Sequence, residues 1–142
     1  MRRAKKIFLA ILRYTFMKYR FYILMFPLLF TLACDEQKQK VHKKLPSGLT
    51  VEYQENKEGQ RDGVYLMKTA EGDTLELSYY SEGQLEGQRI IYTDSGTVEL
   101  KEWYESGQLN GTYMSYYPSG ALKYEGMYDQ NEMIGVWKFY YE

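Results

Sequence analysis

Cys34 is the only cysteine in the chain and His42 the only histidine. One thiol cannot close a disulfide within the chain, and one imidazole excludes a metal site built on two histidines. Cys34 stands directly after the uncharged run Phe21–Leu32 and the small residue Ala33. His42 lies in a polar stretch beside Lys40, Lys43 and Lys44, apart from the aromatic-rich remainder, which excludes a Ser-His-Asp arrangement there. Acid–base chemistry would need two carboxylates facing one bond. Glu76, Glu99 and Glu102 are the candidates, and their alternation with other residues reads as the solvated face of a strand. Asp94 and Asp129 lack neighbouring ligands at the spacing of a calcium loop. The glycines follow turn spacing rather than that of a phosphate-binding loop. The expectation is no catalytic residue, no metal and no cofactor. What remains is a large supply of aromatic surface: 17% of residues, with 16 tyrosines.

The elements that must position these residues begin with an N-terminal address. The 142 residues suit one ordinary domain. Residues 1–33 hold seven basic residues and no acidic one, whereas 34–142 carry 11 basic against 19 acidic, a net of −8. The apolar run Phe21–Leu32 covers about 18 Å as a helix, short of a hydrocarbon core of about 30 Å. Extending it back would bury Arg20, Lys18 and Arg13 at about 2.5–3.5 kcal/mol each. A secretory signal peptide over 1–33 is therefore expected rather than a spanning helix. Met17 is the alternative start, opening the more ordinary leader Met17-Lys18-Tyr19-Arg20. Thr31-Leu32-Ala33-Cys34 resembles a bacterial lipobox, with Thr31 where that motif usually carries leucine. The resemblance implies cleavage before Cys34 and lipid on its sulfur and amino group. More than one acyl chain gives a stable anchor, where a single chain is marginal. Asp35-Glu36 looks like the surface-export signal of some outer-membrane lipoproteins. Residues 34–45 read as a flexible polar stalk whose lysines stand near anionic headgroups. The expected location is the cell envelope, lipid-anchored to the outer membrane and exposed at the surface.

Downstream, the dominant signal is internal repetition, which precedes any assignment of elements. Gly63, Gly87, Gly111 and Gly135 are spaced by 24, as are Gly48, Gly72, Gly96 and Gly120. Gly59, Gly83 and Gly107 form a third ladder whose next position is Asn131, the best substitute for glycine where φ is positive. Of the 12 glycines only Gly126 falls outside these ladders. Tyr79-Tyr80, Trp103-Tyr104 and Met127-Tyr128 share one register, and Tyr65, Tyr113 and Trp137 another, in which Arg89 is the exception. Each unit reads as two strands and two turns. Strands are expected at 49–54, 64–69, 74–80, 88–93, 97–104, 112–117, 122–128 and 136–141. Asp94-Ser95-Gly96 and Pro118-Ser119-Gly120 carry hairpin-turn chemistry. The Gly-Gln-Leu-x-Gly segments read as longer turns, with Leu85, Leu109 and Met133 tucked back between units. Gly or Pro about every dozen residues excludes helix. The fold expected is all-β: an elongated antiparallel meander of about eight strands over 46–142.

This pattern resembles the bacterial variant of the MORN repeat, whose shape recurs best in Gly111-Thr112-Tyr113-Met114-Ser115-Tyr116-Tyr117-Pro118-Ser119-Gly120-Ala121-Leu122-Lys123. The resemblance covers 46–142 and implies the hairpin architecture. Many bacterial proteins of this repeat are named after the YwqK-type antitoxin family, which implies a toxin-neutralising role as one alternative.

Residues 46–142 carry seven basic and 17 acidic residues, a net of −10, the wrong sign for nucleic acid. Membrane contact is therefore assigned to Cys34 and the stalk. The closing run Val136-Trp137-Lys138-Phe139-Tyr140-Tyr141 reads as an aromatic edge strand open to strand addition. Trp137, Phe139, Tyr140 and Tyr141 are its candidate contact residues, for a second copy or a partner protein. Three roles follow from these features: a non-catalytic cell-envelope scaffold for protein interaction, an antitoxin-like neutraliser, and an aromatic glycan-binding module.

Overall fold

The computed structural model describes residues 38–142, and within them the chain is all-β. The expected signal segment, Cys34 and the acidic pair behind it lie outside the described residues. The strands are β1 (Gln39–Lys44), β2 (Thr50–Glu55), β3 (Arg61–Lys68), β4 (Thr74–Ser81), β5 (Gln84–Leu85), β6 (Gly87–Tyr92), β7 (Val98–Glu105), β8 (Gln108–Leu109), β9 (Gly111–Tyr116), β10 (Leu122–Asp129) and β11 (Glu132–Phe139). They form one open antiparallel sheet in the order β1-β2-β3-β4-β6-β7-β9-β10-β11, with β5 against β4 and β8 against β7. No helix among the described residues is long and apolar enough to cross a membrane.

Two kinds of turn alternate from Thr69 onward and keep the 24-residue period; the earlier turn at Asn56–Gln60 has the first kind of closure, although Gly59 stands on the ladder of Gly83 and Gly107. The first closes with paired backbone bonds: Thr69 N to Asp73 O and Gly72 N to Thr69 O, then Thr93 N to Thr97 O and Gly96 N to Thr93 O, then Tyr117 N to Ala121 O and Gly120 N to Tyr117 O. The second is tighter than the sequence implies. Glu82-Gly83, Ser106-Gly107 and Gln130-Asn131 each place two successive residues at positive φ, the geometry of a two-residue type I′ hairpin turn. Asn131, at φ 70°, occupies the left-handed position expected for it. Each tight turn is also bonded to the unit before it. Gly83 N donates to Arg61 O, Gly107 N to Leu85 O and Asn131 N to Leu109 O, at 2.8–3.0 Å.

All eight expected strands are present, and three more accompany them. β5 and β8 are the two-residue continuations of the tight turns. β1 lies where a flexible stalk was expected over 34–45. It pairs with β2 in unbroken register from Gln39↔Glu55 to Lys44↔Thr50. It also stands 24 residues before Gly63–Lys68, so the array begins one strand earlier than Pro46. The pairing is a backbone ladder, which polar side chains do not prevent. Charge supports it: Lys38 Nζ is 2.9 Å from Asp62, and His42 and Lys68 both face Glu52. The last strand also begins earlier than expected, at Glu132, because the tight Gln130-Asn131 turn feeds straight into it. Leu85 and Leu109 are half-buried beneath the next turn, but Met133 is 58% exposed because no further turn covers it.

The sheet is a single layer, so a conventional core is small. Val51 and Tyr65 are the buried apolar residues. Shielding comes instead from side chains leaning on their neighbours across one face. The off-ladder Gly126 belongs to this packing. Its φ is not positive, but a Cβ there would collide with the Trp137 indole.

The turn argument makes a paired expectation. Gly107→Ala forces a Cβ into the left-handed region and lowers unfolding stability by about 1–2 kcal/mol. Asn131→Gly keeps the left-handed backbone but gives up the 2.8 Å hydrogen bond from the Leu109 N–H to Asn131 Oδ1, so it costs less, about 0.5–1 kcal/mol. Urea denaturation of the two variants checks both.

Candidate functional site

One face carries the aromatic register. At its first end Tyr65 meets Tyr53 and Tyr80, with ring centroids 6.1 and 5.8 Å apart. The Arg61 guanidinium lies over all three rings at 4.9–5.4 Å. At the other end Tyr113 packs on Tyr124, Tyr128 and Trp137 at 6.0, 5.4 and 5.8 Å. Burial pushes the Tyr65 and Tyr113 phenols up, and the neighbouring Tyr124 adds to the shift at Tyr113. These phenols are packing groups and stay protonated at neutral pH.

Arg89 stands between the two clusters, at the place the register gives to a ring. Its Nε donates to Glu76 at 2.8 Å and its Nη1 to Glu102 at 3.1 Å. Tyr104 donates its hydroxyl to Glu102, and Ser78 donates to Glu76. Glu102 is 7% exposed, and the side chain of Glu76 is 12% exposed. This corrects the reading of Glu76 and Glu102 as a solvated strand face; of the three glutamates only Glu99 is exposed. The hydrogen bond to Glu76 holds the Arg89 pKa above its ordinary value, with Glu102 adding to it. A permanent cation thus divides the two carboxylates and holds them as acceptors, which is a structural role. Among the described residues no group of three His, Cys, Asp or Glu could hold a metal ion.

The expected contact edge is only partly as read. β11 is the outermost strand of the sheet, but it ends at Phe139, so Tyr140 and Tyr141 follow it. Trp137 is half-buried in the aromatic cluster, T-shaped against Tyr128 at 5.3 Å, and supports the strand from within. Tyr140 is tied back: its N–H donates to Lys123 O, its carbonyl accepts from the Tyr117 hydroxyl, and its own hydroxyl donates to Glu125 at 2.8 Å. Phe139 and Tyr141 are exposed at 70% and 99%, and Val136, outside the candidate set, is 81% exposed. The opposite edge, β1, carries Lys40, Lys43 and Lys44, whose charges discourage strand addition.

The second face holds residues whose register was legible but whose exposure was not. Of each neighbouring pair, Tyr80, Tyr104 and Tyr128 turn to the packed face. Tyr79, Trp103 and Met127 turn to the other, exposed by 40%, 46% and 49%. The alternation of a strand requires this split; burial decides which member shows.

Arg89→Ala leaves Glu76 and Glu102 facing each other and costs about 2 kcal/mol, below a fully buried case because the side chain is partly solvated. The triple change Glu76→Leu, Arg89→Tyr and Glu102→Gly copies Leu100, Tyr113 and Gly126 of the following unit, leaves no carboxylate unpaired there, and recovers most of that loss. Thermal unfolding of the two variants reads the difference.

The C-terminal strand has its own pH window. Hydrogen bonds from Lys138 and then Tyr140 hold the Glu125 carboxyl below its ordinary range, while the Glu125 hydrogen bond holds Lys138 above its own. The depressed carboxylate supports the strand above about pH 4.3 and stops doing so as pH falls through its folded value; the raised lysine supports it below about pH 10.4 and stops as pH rises through its folded value. NMR signals of Tyr140 shift with Glu125 on acidification, below the ordinary glutamate range, and Glu125→Gln abolishes that step. No family model and no curated protein matches the chain, so the MORN-like likeness rests on the repeat residues themselves.

Proposed function

We propose that this protein is a non-catalytic scaffold of the bacterial cell envelope, anchored by lipid on Cys34, whose repeat sheet binds a partner protein. The observation that carries the binding role is the asymmetry of the two sheet edges. β1 is guarded by lysines, whereas β11 presents Val136 and Phe139, and among the described residues no strand pairs with its outer backbone groups. An extended partner segment adding to β11 would gain main-chain hydrogen bonds and cover these side chains. The envelope assignment rests on the basic leader, the short apolar run and the lipobox-like Thr31-Leu32-Ala33-Cys34.

Metabolic labelling with a clickable fatty acid tests the anchor. Label is expected in the membrane fraction with the wild-type chain and lost with Cys34→Ser. Crosslinked pull-down from intact cells tests the edge. A Val136→Lys/Phe139→Lys variant, altered only at exposed positions, is expected to keep its fold and lose the captured partner. Retention of the partner by that variant would remove β11 as the binding edge.

A further inference from the structure

We propose that the row of Tyr79, Gln88, Trp103, Thr112 and Met127, exposed except at half-buried Gln88, is a track for an uncharged, β1,4-linked pyranose chain. The proposal goes beyond the scaffold reading and does not depend on lipid at Cys34. Gln88 is directly opposite Trp103, and Thr112 directly opposite Met127, so each pair shares one face. Bulky side chains therefore stand on β4, β7 and β10, and short polar ones on β6 and β9 between them. Strands two apart in a sheet are separated by about 9.6 Å. That is close to the length of one disaccharide step in an extended β1,4-linked chain, in which every second ring presents the same face.

The chemistry of the row fits such a chain. The Trp103 indole lies against Gly111, where a Cβ would stand 3.1–3.2 Å from its Cβ, Cγ and Cδ1. The absent side chain lets the ring lie close to the sheet while Trp103 stays 46% exposed, which leaves aromatic surface for stacking on the C–H face of a sugar. Among the described residues no hydrogen bond engages the Gln88 amide or the Thr112 hydroxyl, so both are free to meet sugar hydroxyls.

Charge selects the class of ligand. The row itself carries no charged residue; at two residues along β7 from Trp103 stand exposed Glu105 and half-buried Lys101, at two residues along β10 from Met127 stand exposed Asp129 and half-buried Glu125, and Lys138 opposite Glu125 is ion-paired to it. The carboxylates of Glu105 and Asp129, in a repeat region of net −10, repel sulfated or uronic chains and anionic headgroups. A peptide strand is the poorer occupant of this face, because the backbone groups beneath it are used in the sheet ladders.

Calorimetric titration of the full chain with cellohexaose and chitohexaose, with maltohexaose as the α-linked control, tests the track. Saturable binding of at least one β-linked hexamer is expected, little changed by salt. The matching trisaccharide, which spans one platform, should bind about tenfold or more weakly. Trp103→Ala and Tyr79→Ala should each weaken the hexamer by about tenfold with thermal unfolding otherwise preserved. Absence of saturable binding by both β-linked hexamers, equal binding of maltohexaose, or full affinity in a folded Trp103→Ala chain would overturn the proposal. So would sedimentation showing that Trp103→Ala abolishes self-association which the hexamers do not compete, since the row would then be an interface between copies.

Discussion

The sheet depends on a backbone constraint repeated every 24 residues: a two-residue turn whose second position lies in the left-handed region. Only with Gly83, Gly107 or Asn131 there does the chain reverse tightly at low cost. The same residue donates its N–H to the unit before it, at Arg61, Leu85 or Leu109. One conformation thus closes a hairpin and joins it to its neighbour. A lone 24-residue hairpin would not be stable in water, and a row of them joined this way becomes a continuous ladder.

A ladder of one layer still has two faces to satisfy. Tyrosine suits this setting because its ring packs against cross-strand neighbours while its hydroxyl reaches water or a carboxylate. Arg89 shows that the packed row need not be aromatic throughout. A guanidinium between two carboxylates occupies a comparable place and donates to them from Nε, Nη1 and Nη2 in one plane. It divides the face into an arginine-capped cluster around Tyr65 and a tryptophan-filled cluster around Tyr113. Gly126, by lacking a Cβ, makes room for the second.

The functional reading turns on what packing leaves open. Packing claims Tyr80, Tyr104 and Tyr128 and so releases their sequence neighbours Tyr79, Trp103 and Met127 to the opposite face. It also claims Trp137 and restrains Tyr140, which leaves Val136 and Phe139 as the exposed contacts on β11. Both candidate surfaces are therefore consequences of the same tyrosine packing. They differ in chemistry: the edge offers unpaired backbone, and the face offers rings and uncharged polar groups over a backbone already bonded.

The all-β class, the period, the hairpins and the left-handed turn at Asn131 were legible in the residues alone, because positive φ and frequent Gly or Pro are local constraints that restrict residue type. The Arg89 exception was legible as an interruption, though not as an ion pair. The strand at Gln39–Lys44 was not legible, since its polar residues carry no apolar alternation and its pairing is made by the backbone with β2. Nor was the burial of Glu76 and Glu102 or the exposure of Trp103. Those outcomes depend on cross-strand neighbours set by register and bulges, which join residues far apart in the chain. Local stereochemistry belongs to the sequence by itself. The partner across the ladder, and hence which side chain is hidden and which is offered, was decided only when the strands came together.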